Sequence, residues 1–219
     1  MNKKRNIILS IVFTIISVIY TVVVKVVDVA AIGPEQSEVG LSTINSWFKG
    51  IVNSNLDLYK ITEYFGYAIL VIVAIYGLMG LIQLIRRKSL FKVDRELICL
   101  GVLYALMLIV YVAFDKVAIN YRPILIDGVL EPSYPSSHTI LSICICVSSL
   151  IVGKKYMNTV LQNVTCFITV FLLTMVLLGR TLSGVHWLTD IVGGVIISVT
   201  LLMYFYTALN YKERKKTKK

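Results

Sequence analysis

Long apolar runs alternate with short polar segments along almost the whole chain. Six runs have the length and low charge of membrane-spanning helices, and they cover residues 6–24, 64–85, 97–114, 139–153, 156–179 and 191–211. The run at 139–153 is the shortest and spans a bilayer only if its helix begins near Ser136. We therefore predict an all-α membrane protein in which residues 1–211 form a single bundle of six transmembrane helices.

The segment before the second run has two alternative readings. Apolar residues recur at roughly helical spacing over about 41–62, which predicts an amphipathic helix. This helix lies either on the bilayer surface, with Trp47 at headgroup depth, or on the bundle as an ordinary loop helix. The first run also allows two interpretations, because its basic start resembles a signal peptide. Its apolar length exceeds the roughly 7–15 residues of a signal-peptide core, which favours a retained helix.

The formal charge of +10 is unevenly distributed along the chain. Six spans put both termini on the same side of the membrane, and that side holds 16 of the 22 Lys and Arg residues. The positive-inside rule therefore predicts cytoplasmic termini, with the basic tail 212–219 disordered in the cytoplasm. The positive charge is thus a signal of topology and gives no reason to expect nucleic acid as a partner.

Composition limits the remaining classes of protein. With 57% hydrophobic residues in 219, the chain has no room for a separate soluble domain. The four cysteines fall inside apolar runs and there are two histidines, so no metal-site spacing is present. We expect neither a metal nor a cofactor. Small size and many Lys and Ile residues favour a bacterial plasma membrane, and the sequence does not indicate an oligomeric state.

Arg180, His186 and Asp190 stand between two apolar runs, where ionisable residues are costly and usually functional. On a helix beginning near His186, Asp190 comes one turn later, so its carboxylate can hold one imidazole nitrogen. The other nitrogen is then free to attack or to exchange a proton. The alternative is structural: a hydrogen-bonded interfacial histidine, with Arg and Asp as topology signals or helix caps.

The six-span topology brings further polar residues to the same outer face. His138 joins His186 there, together with outward cations at Lys116, Arg122 and Arg180. Such a set suits phosphoryl transfer, because cations neutralise phosphate oxygens while one histidine attacks and the other protonates the leaving group. Ser136 and Ser137 stand at the expected amino end of a helix, where free amides and the helix dipole favour an anion.

Three stretches resemble the signature motifs of the type 2 phosphatidic acid phosphatase family: Lys116…Arg122-Pro123, Pro135-Ser136-Ser137-His138 and Arg180…His186…Asp190. These integral-membrane lipid phosphatases share an active-site core with vanadium haloperoxidases. The resemblance implies that His186 is the nucleophile, that Asp190 orients it and that His138 is the general acid. It further implies that phosphate is bound without a metal, by Lys116, Arg122, Arg180, Ser136 and Ser137.

The chain departs from the family pattern at three positions. Five residues separate Lys116 from Arg122 where six are usual, Ser137 replaces a usual Gly, and Gly179 replaces a usual Ser. The expected substrate is a membrane phospholipid or polyprenyl phosphate, such as undecaprenyl diphosphate, phosphatidylglycerophosphate or phosphatidic acid. The main alternative is a catalytically silent member that binds lipid or assists assembly. A transporter is the weaker alternative, because no paired inverted repeats are evident.

Overall fold

The computed structural model describes residues 3–211. These residues form seven α-helices and no β-strand: α1 (Lys3–Val26), α2 (Ser42–Ile51), α3 (Leu56–Arg87), α4 (Arg95–Lys116), α5 (Ser137–Gly153), α6 (Thr159–Leu182) and α7 (Leu188–Asn210). The predicted all-α class is confirmed. The basic tail 212–219 lies outside the described residues.

Each of the six apolar runs lies within one of these helices or overlaps most of it. By length and composition, α1, α3, α4, α6 and α7 can each cross a membrane. The remaining run forms α5, an apolar helix of 17 residues. At about 1.5 Å per residue α5 is about 26 Å long, slightly less than the ~30 Å hydrocarbon core of a bilayer. The count of six spans therefore stays a prediction.

The amphipathic segment predicted at about 41–62 is divided in the structure. Its first part is α2, whereas residues 56–62 form the first two turns of α3. Asn55 fixes the start of α3, because its side-chain oxygen accepts a hydrogen bond from the Leu58 amide at 2.9 Å. Helical spacing continues across the break at 52–55, so the apolar pattern could not reveal it.

The helix α2 packs on the bundle through its polar side. Asn45 is fully buried, and its Nδ2 donates to Thr189 Oγ1 at 3.0 Å at the start of α7. On the opposite side Trp47 and Ile51 are 62% and 61% exposed. The polar contacts therefore fix α2 to the bundle while its apolar side remains uncovered.

The helices α5 and α7 lie side by side in the centre of the bundle. Their contact requires Gly194, because a Cβ there would lie 2.9 Å from Thr139 Cβ, closer than side chains pack. The helix α1 packs against α7, with the hydroxyls of Ser17 and Thr200 2.8 Å apart. Hydrogen bonds between transmembrane helices contribute about 0.6 kcal/mol each.

Candidate active site

Residues 120–133, between α4 and α5, form a hairpin that the sequence analysis treated as a plain loop. The Arg122 amide donates to the Glu131 carbonyl at 3.0 Å, and the Ser133 amide donates to the Asn120 carbonyl at 2.9 Å. The chain reverses at Asp127, whose φ is +48°. This pairing fixes the backbone at Asn120 and Arg122, which lie on the same strand-like arm of the hairpin.

His186 precedes α7, whereas the sequence analysis placed it on a helix. The residue before Leu188, Trp187, is the N-cap of α7, and its amide donates to Asp190 Oδ2 at 3.0 Å. The same Oδ2 lies 3.6 Å from His186 Nδ1, which is longer than a hydrogen bond. The carboxylate and the imidazole therefore face each other, and the helix cap is what brings them together.

The side chain of Asn120 also holds Asp190, a role that the sequence does not predict. Asn120 and Asp190 are both fully buried, and Asn120 Nδ2 donates to Asp190 Oδ1 at 3.3 Å. The amide oxygen of Asn120 accepts a hydrogen bond from the Gly40 amide at 3.2 Å. Asn120 thus joins the Asp190 carboxylate to the segment before α2. No sequence signal separates it from the other asparagines.

Arg122 approaches the free side of the His186 ring. Its Nη1 lies 3.4 Å from His186 Nε2, while its Nε lies 2.9 Å from Glu131 Oε2. His186 is 4% exposed. Burial lowers the pKa of His186 well below its ordinary value, and the charges of Arg122 and Arg180 lower this pKa further. The imidazole is therefore neutral, the form in which its nitrogen can attack an electrophile.

Arg180 is fully buried in the last turn of α6. Its Cζ lies 4.4 Å from the centre of the Tyr59 ring, and its Nη2 lies 4.0 Å from Glu63 Oε1. None of its three guanidinium nitrogens has a hydrogen-bond partner among the described residues. Tyr59 and Glu63 belong to α3 and were not predicted as site residues.

The second motif forms the start of α5. Ser136 is the N-cap, but its hydroxyl accepts a hydrogen bond from Thr139 Oγ1 at 3.0 Å and caps no backbone amide. The first amides of α5 therefore remain available to an anion. Ser137 takes the first helical position, with no positive φ. His138 follows on the first turn, and its Nδ1 has no hydrogen-bond partner within residues 3–211.

Lys116 makes no polar contact with the other predicted site residues within residues 3–211. It is the exposed last residue of α4 and makes no hydrogen bond or ion pair within residues 3–211. Because Lys116 belongs to α4, the helix sets the direction of its side chain. A lysine in a loop could turn towards the site. The neighbouring Asp115 lines the cavity described next.

A cavity of about 580 Å³ begins at the two histidines and Arg122. From there it extends between α3, α4 and α5 along apolar side chains that include Leu70, Val73, Met107, Leu108 and Ile145. One end of the cavity is thus polar and carries Arg122 beside its ion-pair partner Glu131, and the rest is suited to hydrocarbon.

Comparison with known proteins agrees with the motifs and with the fold. Residues 114–214 match the family model of the PAP2 superfamily. The structure is similar to the crystal structure of the first transmembrane PAP2 type phosphatidylglycerolphosphate phosphatase from Bacillus subtilis, with a TM-score of 0.58 and 13% identity over 94% of this chain and 96% of that chain. No curated protein matches the chain. The family resemblance drawn from the motifs is confirmed, and the chain is a multi-pass membrane protein with a PAP2-type fold.

Proposed function

Because residues 114–214 belong to the PAP2 superfamily, we propose that this chain is a membrane lipid phosphatase that works through a phosphohistidine at His186. The arrangement of the His186 ring carries the proposal. Its Nδ1 faces Asp190 at 3.6 Å, and its Nε2 lies 3.4 Å from Arg122 Nη1. A phosphate bound by Arg122 replaces this contact and therefore stands beside the nitrogen that attacks.

The reaction has two steps. In the first, His186 Nε2 forms a bond to phosphorus while the bond to the leaving oxygen breaks, and His138 gives that oxygen a proton. Arg122 and Arg180 neutralise the phosphate oxygens as negative charge develops. In the second step, His138 takes a proton from a water molecule that attacks phosphorus, and the N–P bond breaks. His186 is restored and inorganic phosphate is released.

His138 must carry a proton by the time the leaving oxygen departs. The Nδ1 atom has no hydrogen-bond partner among the described residues, so the ring is not committed to another group. A bound phosphate dianion supplies negative charge near the ring, which favours the protonated imidazole. We expect substrate binding and protonation of His138 to be coupled for this reason.

The cavity supports a lipid as substrate. Its polar end accepts the phosphate, and its apolar walls on α3, α4 and α5 suit a hydrocarbon chain. Undecaprenyl diphosphate, phosphatidylglycerophosphate and phosphatidic acid all have this form. The similar Bacillus subtilis protein is described as a phosphatidylglycerolphosphate phosphatase, which makes that lipid the first to assay.

We place the active site at the outer face of a bacterial plasma membrane. The proposal uses six spans, with α5 as the fourth, and puts both termini in the cytoplasm. Sixteen of the 22 Lys and Arg residues then lie on the cytoplasmic side, as the positive-inside rule requires. Two arginines supply the charge that a metal supplies in other phosphatases, so we propose a metal-independent reaction.

A catalytically silent, lipid-binding role is the second candidate. It is favoured by Lys116, a predicted phosphate ligand that is exposed at the end of α4 and makes no polar contact with the other site residues among the described residues. An active phosphatase is favoured because the remaining site residues lie close together.

Phosphate release by the purified protein tests the proposal. We expect release from at least one of the three lipids in excess chelator, and loss of release in Asp190→Asn. Asp127→Asn is the matched control, because Asp127 lies exposed at the hairpin turn. Lipid binding without phosphate release would favour the silent role. Activity that disappears in chelator and returns with magnesium or zinc would contradict the metal-independent mechanism.

A further inference from the structure

The helix α3 approaches the end of α6 very closely beside Arg180. A Cβ added to Gly179 would collide with Thr62 Cγ2 on α3, and Thr62 is 1% exposed. The lack of a side chain at position 179 therefore allows the first turns of α3 to lie against the turn of α6 that carries Arg180. The family-model match begins at residue 114, so α3 lies outside it.

Two side chains of α3 use this approach to reach the arginines. Tyr59 and Glu63 are one helical turn apart and so lie on the same face of α3. The Tyr59 ring centre lies 4.4 Å from Arg180 Cζ and 5.7 Å from Arg122 Cζ. Both distances are within the ~6 Å range of a cation–π contact. A single ring therefore touches both guanidinium groups of the site.

The geometry leaves the hydrogen-bonding edges of Arg180 unused. Its contact with Tyr59 is made to the ring, with Cζ 4.4 Å from the ring centre, and a π face takes up none of the five N–H groups of a guanidinium in an ordinary hydrogen bond. The nearest carboxylate, Glu63, is 4.0 Å from Nη2, too far for a hydrogen bond. Arg180 is 0% exposed, and its three nitrogens have no hydrogen-bond partner among the described residues. Unpaired buried donors are costly, so this arrangement is one that an anion completes.

We infer that Tyr59 and Glu63 are further members of the phosphate site. Tyr59 is a positioning residue whose ring holds Arg180 and Arg122 in place and leaves their N–H groups for phosphate oxygens. Glu63 is the counter-ion of Arg180 in the absence of substrate, and the substrate phosphate takes its place. The inference rests on the proposed function and deepens it.

The two residues should affect anion binding in opposite directions. Loss of the Tyr59 ring frees both guanidinium groups to move, and the usual size of a cation–π contact corresponds to about three- to thirtyfold weaker binding. Loss of the Glu63 charge removes a competing anion and should tighten binding. Glu63 is one-third exposed, so solvent screens its charge and the gain should be about two- to threefold.

Orthovanadate binding tests the inference without requiring turnover. The purified full chain is titrated with vanadate, with the rise in thermal unfolding temperature as the readout, and KM for p-nitrophenyl phosphate is measured in parallel. We expect weaker binding and a higher KM for Tyr59→Leu, wild-type values within twofold for Tyr59→Phe, and tighter binding for Glu63→Gln. Tyr64→Leu is the matched control, because Tyr64 is 71% exposed on the same helix.

The outcomes separate this inference from the function on which it rests. Equal losses of vanadate affinity in Tyr59→Leu and Tyr64→Leu would overturn the inference, and so would weaker vanadate binding in Glu63→Gln. The proposed function would stand in either case as long as the wild type binds vanadate. A wild type that neither binds vanadate nor hydrolyses phosphate would overturn the proposed function itself. Should Tyr59→Leu fail to fold, Glu63→Gln decides alone, since tighter binding is required of it.

Discussion

Asn120 offers a direct test of how the buried carboxylate is held. Replacing Asn120 with Ala removes the donor to Asp190 Oδ1 and the acceptor of the Gly40 amide. Asp190 and Gly40 are buried, so water does not readily replace either partner. The carboxylate then keeps its bond from the Trp187 amide and loses its second fixed contact.

The expected magnitude follows from the kind of contact that is lost. A hydrogen bond to a charged group contributes about 1.5–3 kcal/mol. If this energy acts on the orientation of His186, kcat falls about ten- to hundredfold, since about 1.4 kcal/mol corresponds to a factor of ten. We expect KM to change little, because Asn120 does not line the substrate cavity. The unpaired buried groups should also lower the free energy of unfolding by about 1–3 kcal/mol.

Asn158→Ala is the matched control for Asn120→Ala. Asn158 caps α6 at the opposite end of the bundle by accepting from the Leu161 amide at 2.9 Å. Its removal should cost about 1 kcal/mol of stability and leave kcat within twofold. Steady-state phosphate release and thermal unfolding are measured for both variants. If Asn120→Ala loses stability but keeps the kcat of Asn158→Ala, Asn120 has only a structural role and our account of Asp190 is wrong.

Two further predictions concern pH dependence and topology. Burial lowers the pKa of His186, and Arg122 and Arg180 lower it further, so kcat/KM should decline only below the ordinary histidine range of about 6.5. Arg122→Gln removes a positive charge and so raises the pKa of His186, which should move the acidic limb of the kcat/KM profile to higher pH. Arg122→Lys keeps the charge and should leave this limb in place. Identical acidic limbs in the two variants would contradict the argument. In a cysteine-free background, Asp127→Cys should react with an impermeant thiol reagent in intact cells and Lys88→Cys should not, and labelling of Lys88→Cys alone would reverse the orientation.

The helices and the central motif were predictable because each depends on local sequence. A span needs an unbroken apolar run, and each run corresponds to a helix whose ends differ by at most three residues, except that α3 begins eight residues before its run. Arg180, His186 and Asp190 were conspicuous as ionisable residues beside such runs. Their side chains lie near one another in the structure, although a helix cap and a hairpin achieve this where a continuous helix was expected.

The supporting residues were not predictable because tertiary contacts define their roles. Asn120 depends on the pairing of the hairpin, which leaves no mark on the apolar pattern. Tyr59 falls in the amphipathic segment predicted at about 41–62, and Glu63 falls between that segment and the second apolar run. They reach Arg180 because α3 starts early and Gly179 allows its approach. Lys116 stays a prediction. Its place in a motif suggests a phosphate ligand, and in the structure it is the exposed last residue of α4.

Trapping the covalent phosphoenzyme tests the central claim most directly. Wild type, His186→Ala and His138→Ala are mixed with a radiolabelled lipid monophosphate or p-nitrophenyl phosphate and quenched within a single turnover. We predict no phosphoenzyme in His186→Ala from either substrate. His138→Ala should form the phosphoenzyme readily from p-nitrophenyl phosphate, because this leaving group needs no proton. From the lipid, His138→Ala should form it about 10²–10⁴-fold more slowly than wild type does. Phosphoenzyme formation in His186→Ala, with none in His138→Ala, would contradict the account and exchange the roles of the two histidines.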